Sequence, residues 1–191
     1  MKILAVIPAR GGSKRLHRKN IYPLLGHPLM SYAIEACKGS RYLEEQNVYV
    51  STEDDEIASV ALQYGAKVID RPGKLAEDHV WTQDVLSHAL EWSENKSGNK
   101  FDVLVRVQAN SPQVTSEKID ECIKKLKDHN LWEVFTVDED GIEDAAVHAM
   151  LRRCVNQKAL SVYKGVVHTD YIDVHDAKDI ENISTIMKER K

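Results

Sequence analysis

Between Pro8 and Asn20 the chain sets Arg10, Lys14, Arg15, Arg18 and Lys19 around the adjacent glycines Gly11 and Gly12, directly after an apolar run at 3–7. A buried strand that breaks into a basic, glycine-containing loop brings backbone N–H groups against phosphate oxygens. Without Cβ atoms, Gly11 and Gly12 are free to take positive φ and let the backbone approach a ligand, while the surrounding cations neutralise its charge. The first acidic residue is Glu35, so the opening 34 residues carry six cations and no anion in a chain whose formal net charge is −4. This local field suits a polyanionic small ligand. The loop is not a P-loop, because Ser13 stands where a glycine must precede the lysine, and no G-x-G-x-x-G can be written through Gly11, Gly12 and Gly26. The alternative reading is a solvated basic turn.

The elements that position this loop alternate between strand and helix patterns. Strands are expected at 3–7, 47–51, 67–70, 103–107 and 133–137, the first a continuous apolar run of the kind buried on both faces of a parallel sheet. Helical spacing recurs at 29–37, from Thr52 as N-cap to Gly65, from about 78 to 95, and at 116–128. The expected fold class is therefore α/β: a doubly wound, mostly parallel sheet with helices on both faces, Rossmann-like, in a single domain over 1–191. In such sheets ligands sit beyond the carboxyl ends of the strands, so the loops after Ile7, Ser51, Asp70 and Val107 should meet in one cleft. With 42% apolar and 29% charged residues the composition is that of an ordinary globular chain, and its net acidity argues against nucleic acid as the main partner. Apolar runs are too short for a signal peptide or a membrane span, which points to a cytoplasmic protein. Cys37, Cys122 and Cys154 lie far apart without a C-x-x-C and read as buried thiols. His27, His79, His88 and His129 lack metal-ligand spacing, and the acidic run 53–56 reads as a solvated helix start.

The run Pro8-Ala9-Arg10-Gly11-Gly12-Ser13-Lys14 followed by Arg18-Lys19-Asn20 resembles the signature of the acylneuraminate cytidylyltransferases, the CMP-sialic acid synthetase family. Further segments are similar to that family in order: 47–58, Tyr64-Gly65-Ala66-Lys67-Val68, Arg71-Pro72 with Leu75-Ala76, Asp78, Thr82 and Asp84, then Gln108-Ala109-Asn110-Ser111-Pro112, and Ile172-Asp173-Val174-His175 near the end. The resemblance implies a nucleotide-diphospho-sugar transferase-like fold and transfer of CMP from CTP to an acidic sugar of the nonulosonic type, with Mg²⁺ or Mn²⁺ and release of pyrophosphate. It implies Arg10 and Lys14 as catalytic residues, and Ala9, Arg10, Gly11, Gly12, Ser13, Lys14, Asn20, Arg71 and Thr82 as the nucleotide site. Gln108 and Asn110 would face the acceptor; Asp173, His175 and Asp176 would hold the metal.

The departures from the family pattern bear on the acceptor. Gln113-Val114 stands where the family has Leu-Arg, which removes a cation. Asn110 stands where the related CMP-KDO synthetases have an acidic metal ligand, and His175 replaces the second aspartate of the metal motif, with Asp176 next to it. Mg²⁺ prefers hard oxygen ligands, so His175 weakens the metal expectation. The stretch 139–170 is a shortened form of the family's dimerisation and acceptor-side segment; 144–155 reads as one amphipathic helix whose Arg152 and Arg153 either reach a carboxylate or phosphonate in a partner subunit's site or simply decorate the helix, and 160–167 as a short strand. The expected assembly is a homodimer. A different small acid such as a phosphonate as acceptor, or a non-catalytic nucleotide-binding protein on the same fold, are the alternatives.

Overall fold

The computed structural model describes residues 1–189. β1 (Ile3–Pro8) is buried almost throughout and lies in the interior of the sheet. A two-residue hairpin, β2 (Pro23–Leu24) and β3 (His27–Pro28), follows the basic loop, its turn made by Leu25 and Gly26, both at positive φ. Two successive left-handed residues match the right-handed twist of the flanking strands. Then come α1 (Leu29–Gly39), β4 (Val48–Thr52), α2 (Asp55–Gln63), β5 (Lys67–Asp70), α3 (Thr82–Ser97) and β6 (Val103–Val107). The C-terminal part adds α4 (Ser116–Asp128), β7 (Glu133–Val137), β8 (Glu143–Leu151), β9 (Lys164–His168) and α5 (Ala177–Glu189).

The sheet has seven strands in the order β5-β4-β1-β6-β8-β7-β9. β5, β4, β1 and β6 are mutually parallel, as is the β7–β9 pair; β8 runs antiparallel to both its neighbours. Alternation along β1 sends Ile3, Ala5 and Ile7 to a core closed by Ile34, Ile57, Ile119 and Ile123 of α1, α2 and α4. Leu4 and Val6 face the other way, against Leu86, Ala89 and Leu90 of α3. Helices thus cover both faces. A third cluster joins Leu16 of the basic loop, Leu24 of the hairpin and Leu29 of α1 to Val174 and Ile183. Each such buried side chain stabilises by about 1.5–3 kcal/mol, which holds the residues before α5 against the basic loop.

Three local expectations are corrected. The segment 144–155 is not a helix; its larger part is β8, followed by a single 3₁₀ turn at Arg152–Cys154. Its alanines suggest a helix by propensity, but Ala146, Val147, Ala149 and Met150 are all buried, a two-sided burial that a strand between β6 and β7 satisfies and a surface helix does not. Arg152 and Arg153 therefore do not project from a helix toward a partner: Arg152 pairs with Glu94, and the Arg153 guanidinium stacks 4.4 Å from the Trp132 ring centroid. The N-cap of α2 is Asp54, whose carboxylate accepts from the N–H groups of Glu56 and Ile57; the Thr52 hydroxyl accepts from Asp54 N one step earlier. The three cysteines are buried and free.

Candidate active site

The loops after β1, β4, β5 and β6 meet at the carboxyl ends of the parallel strands. Ala9 N donates to Ser51 O at 3.0 Å, which keeps the chain in sheet register one residue past β1. Buried Asn20 then donates from Nδ2 to Arg10 O at 2.9 Å and ties the far end of the loop back to its start. Neither Gly11 nor Gly12 uses a left-handed φ, contrary to the expectation for the pair. Gly11 is required by close approach: a Cβ there would lie 2.5 Å from Asp54 Oδ2. Gly12 faces open space. Arg18 is not a field charge only. It sits at φ 55 with its guanidinium forked on Asp54 and bonded to Glu56, and this clamp holds the loop on the start of α2.

Two acidic residues to which the sequence assigned no role in the site, Asp78 and Glu53, occupy the cations and an N–H group of this loop. Asp78 bridges Arg10, at 2.8 Å, and Lys14, and those hydrogen bonds, Lys14's first, hold its carboxyl below the usual range. Glu53 accepts from Gly11 N at 2.8 Å and pairs with Arg71 at 3.3 Å, so the run 53–56 is not simply a solvated helix start. Arg71 is buried, donates to Ser51 O at 2.8 Å, and is pulled below its usual pKa by burial, against the opposing charge of Glu53. Its Nε has no hydrogen-bond partner among the described residues, and the side chain lines a cavity. No periodicity marks Asp78 or Glu53 as special; only their positions after β5 and β4 do.

Three cavities share Arg10 as a wall. One of about 270 Å³ is bounded by Arg71, Ala76, Val80 and Thr82. A second, about 430 Å³, lies along Gly12, Lys14 and Asp78. The third, about 410 Å³, is lined by Ser13, Arg15, Lys19, Gln108, Asn110 and His175 among others, with no carboxylate. The structure thus groups Arg10, Gly12, Ser13, Lys14, Asn20, Arg71, Thr82, Gln108, Asn110 and His175 along these cavities, whereas Ala9 and Gly11 line none of them.

The metal expectation of Asp173, His175 and Asp176 does not fit as a three-residue centre. Among the described residues no group of three His, Cys, Asp or Glu side chains gathers to hold a metal ion. Asp176 Oδ1 caps α5 by accepting from the N–H groups of Lys178 and Asp179, and His175 Nδ1 lies 3.2 Å from Arg15 Nη2. Asp173 is hydrogen-bonded to the Ser111 hydroxyl, and burial pushes its pKa up, against that bond. What the arrangement does offer is a set of donors and cations along the cavities that share Arg10, suited to stabilising charge that develops on a phosphoryl group.

Fold and site together define a nucleotidyltransferase-like α/β protein. The structure of CMP:2-keto-3-deoxy-manno-octonic acid synthetase complexed with CTP shares this fold with a TM-score of 0.79 over the whole of both chains at 16% identity. In sequence the chain is 38% identical to the pseudaminic acid cytidylyltransferase of Campylobacter jejuni over 127 residues, 66% of this chain and 53% of that protein. It is 42% identical over 115 residues to the CMP-N,N'-diacetyllegionaminic acid synthase of Legionella pneumophila, 59% of this chain and 47% of that one. The Cytidylyltransferase family matches residues 4–181, and the chain belongs to it. It spans about half the length of the curated relatives it matches.

Proposed function

We propose that this chain transfers CMP from CTP to an acidic acceptor of the nonulosonic type and releases pyrophosphate. The observation that carries this reading is the position of Arg10, on the wall common to three cavities. A phosphorus atom beside Arg10 has a nucleoside-sized space on the side of Arg71 and Thr82, a leaving-group space along Gly12 and Lys14, and an acceptor space toward Gln108 and Asn110. Attack by an acceptor oxygen on the α-phosphorus forms one P–O bond and breaks the bridge to pyrophosphate; Arg10 and Lys14 are the cations that offset the charge this develops. Asp78 stands where the triphosphate charge would go and yields its two cations to it. The names of the relatives, synthases and transferases of pseudaminic and legionaminic acids, support a sugar acid as acceptor.

If Mg²⁺ or Mn²⁺ is used, Asp173 is the carboxylate of the expected set not spent on capping a helix, and the metal would supply charge neutralisation on the triphosphate. A homodimer is supported by the exposed Leu160, Val162 and Tyr163, which lead into the edge strand β9. Cytoplasmic residence is supported by three unpaired buried thiols. No helix among the described residues is long and apolar enough to cross a membrane.

The test is pyrophosphate release from CTP with Mg²⁺ or Mn²⁺ across pseudaminic, legionaminic, N-acylneuraminic and 2-keto-3-deoxy-octonic acids and a phosphonate, with ATP, GTP and UTP as controls. Acceptor-dependent release from CTP alone is expected. Silence across the panel with CTP bound more tightly than UTP would select nucleotide binding without turnover, a reading favoured by the engagement of His175 and Asp176 elsewhere.

A further inference from the structure

The cavity on the Gln108 side is lined by Arg15, Lys19 and His175 beside Arg10 and Lys14, with no carboxylate, so it suits an anion. Two of these residues are brought together from opposite ends of the chain by the 3.2 Å contact from Arg15 Nη2 to His175 Nδ1. A guanidinium only donates, so Nδ1 is the acceptor and the ring's proton sits on Nε2, which leaves His175 a donor. Arg15 spends one of its five N–H donors in this contact. Lys19 is held in the same place by donating to Val174 O at 3.0 Å. Val174 is locked in turn: Val174 N donates to Asn110 O, and Asn110 Nδ2 donates to Val174 O. Lys19 is therefore positioned before any ligand arrives.

The other route to a cation on this side is closed. Gln113, in the stretch after Pro112, is buried with Oε1 accepting from Ile172 N at 2.8 Å, and Val114 is part of the core. We propose that Arg15, Lys19 and His175 form the subsite for the acceptor's carboxylate. The assignment rests on the cytidylyl-transfer reading and names the chemical class it accepts, a sugar acid with an ionised carboxyl group. A planar carboxylate matches the guanidinium fork, with the imidazole Nε2–H and the ammonium as further donors. Lys14 lines both this cavity and the one along Gly12 and Asp78, so the cations assigned to the leaving pyrophosphate border the carboxylate subsite.

The experiment is side-chain and amide ¹H–¹⁵N NMR of the protein with CTP. It is titrated with 2-keto-3-deoxy-octonate and N-acylneuraminate, each as free acid and as methyl ester, and separately with pyrophosphate. The free acids should move the His175 Nε2–H and Arg15 Nε–H signals saturably, and the esters should not. Arg15→Ala and His175→Gln should each raise the acceptor KM roughly tenfold to a hundredfold with the KM for CTP unchanged, and Arg15→Lys should recover part of the loss. Equal response to acid and ester, or no response of His175 to any acid, overturns the subsite. Movement of His175 by pyrophosphate in place of the acids overturns it too and makes the pair a phosphate site. Failure of CTP to move the Gly11 and Gly12 amides is a different result: it defeats the cytidylyl-transfer reading itself, and the carboxylate site stands or falls on the acid–ester contrast alone.

Discussion

Two carboxylates in this molecule each bridge two cations, and their settings differ. Asp78 joins Arg10 and Lys14 with a side chain that is 50% exposed, and among the described residues it accepts only from those two side chains, 37% and 77% exposed. Glu94 joins Arg152 and Lys100 with a side chain that is 3% exposed. Its oxygens accept from Arg152 Nε and Nη2, both at 2.9 Å, from Lys100 Nζ at 2.7 Å and from Phe101 N at 3.2 Å. The first pair of cations is available to any stronger anion, because water and side-chain motion already compete for it. The second is locked by a fork and a backbone donor, and it fastens the end of α3 to the end of β8. The same bridge is thus a replaceable cover at the site and a rivet away from it.

The largest test of this contrast is Glu94→Ala, which should lower stability by about 3 kcal/mol in urea unfolding, since several charge-assisted bonds disappear together. The wild-type rivet also has a pH signature. Its hydrogen bonds, Arg152's foremost, hold the Glu94 carboxyl at about 2, below the usual 4.5. A depressed carboxylate contributes stability that is fully present above the unfolded value and is lost as pH falls through the folded one. Unfolding midpoints should therefore decline from about pH 4.5 toward about pH 2 in the wild type and show less of that slope in Glu94→Ala. A slope of the same size in both would show that other carboxylates carry it.

Lys14→Ala comes next. It should reduce kcat/KM for CTP by roughly one to two orders of magnitude, the value of one charge-assisted contact, while the unfolding midpoint hardly moves. Asp78→Asn is the smallest effect and the most discriminating. Removing the covering charge should tighten CTP binding by roughly two- to fivefold in calorimetry with stability nearly unchanged. Weaker CTP binding in Asp78→Asn would instead make Asp78 a positioner of Arg10 and Lys14, and the comparison with Glu94 would close.

The parallel half of the fold was readable because each of its strands is a local apolar run followed by a loop with turn residues. β1, β4, β5 and β6 lie within a residue or so of their expected limits. The antiparallel insertion was not. β8 carries helix-favouring alanines, and its identity as a strand depends on two neighbours reached through other segments, β6 and β7. In the same way the basic loop announced itself by composition, whereas the acids that cover it, Asp78 and Glu53, arrive from the ends of other strands.

By itself the amino-acid sequence determined the βα order, the basic loop after the first strand and the family resemblance, because these are written in contiguous residues whose spacing is set by backbone geometry. Only the tertiary structure decided that Arg15 meets His175, that Asp176 turns to its own helix, and that Asp54 rather than a positive φ is why position 11 must be glycine. Each of these depends on a contact between residues distant in the chain or on a choice among partners, and a linear pattern holds no information on which of several possible partners packing will bring within reach.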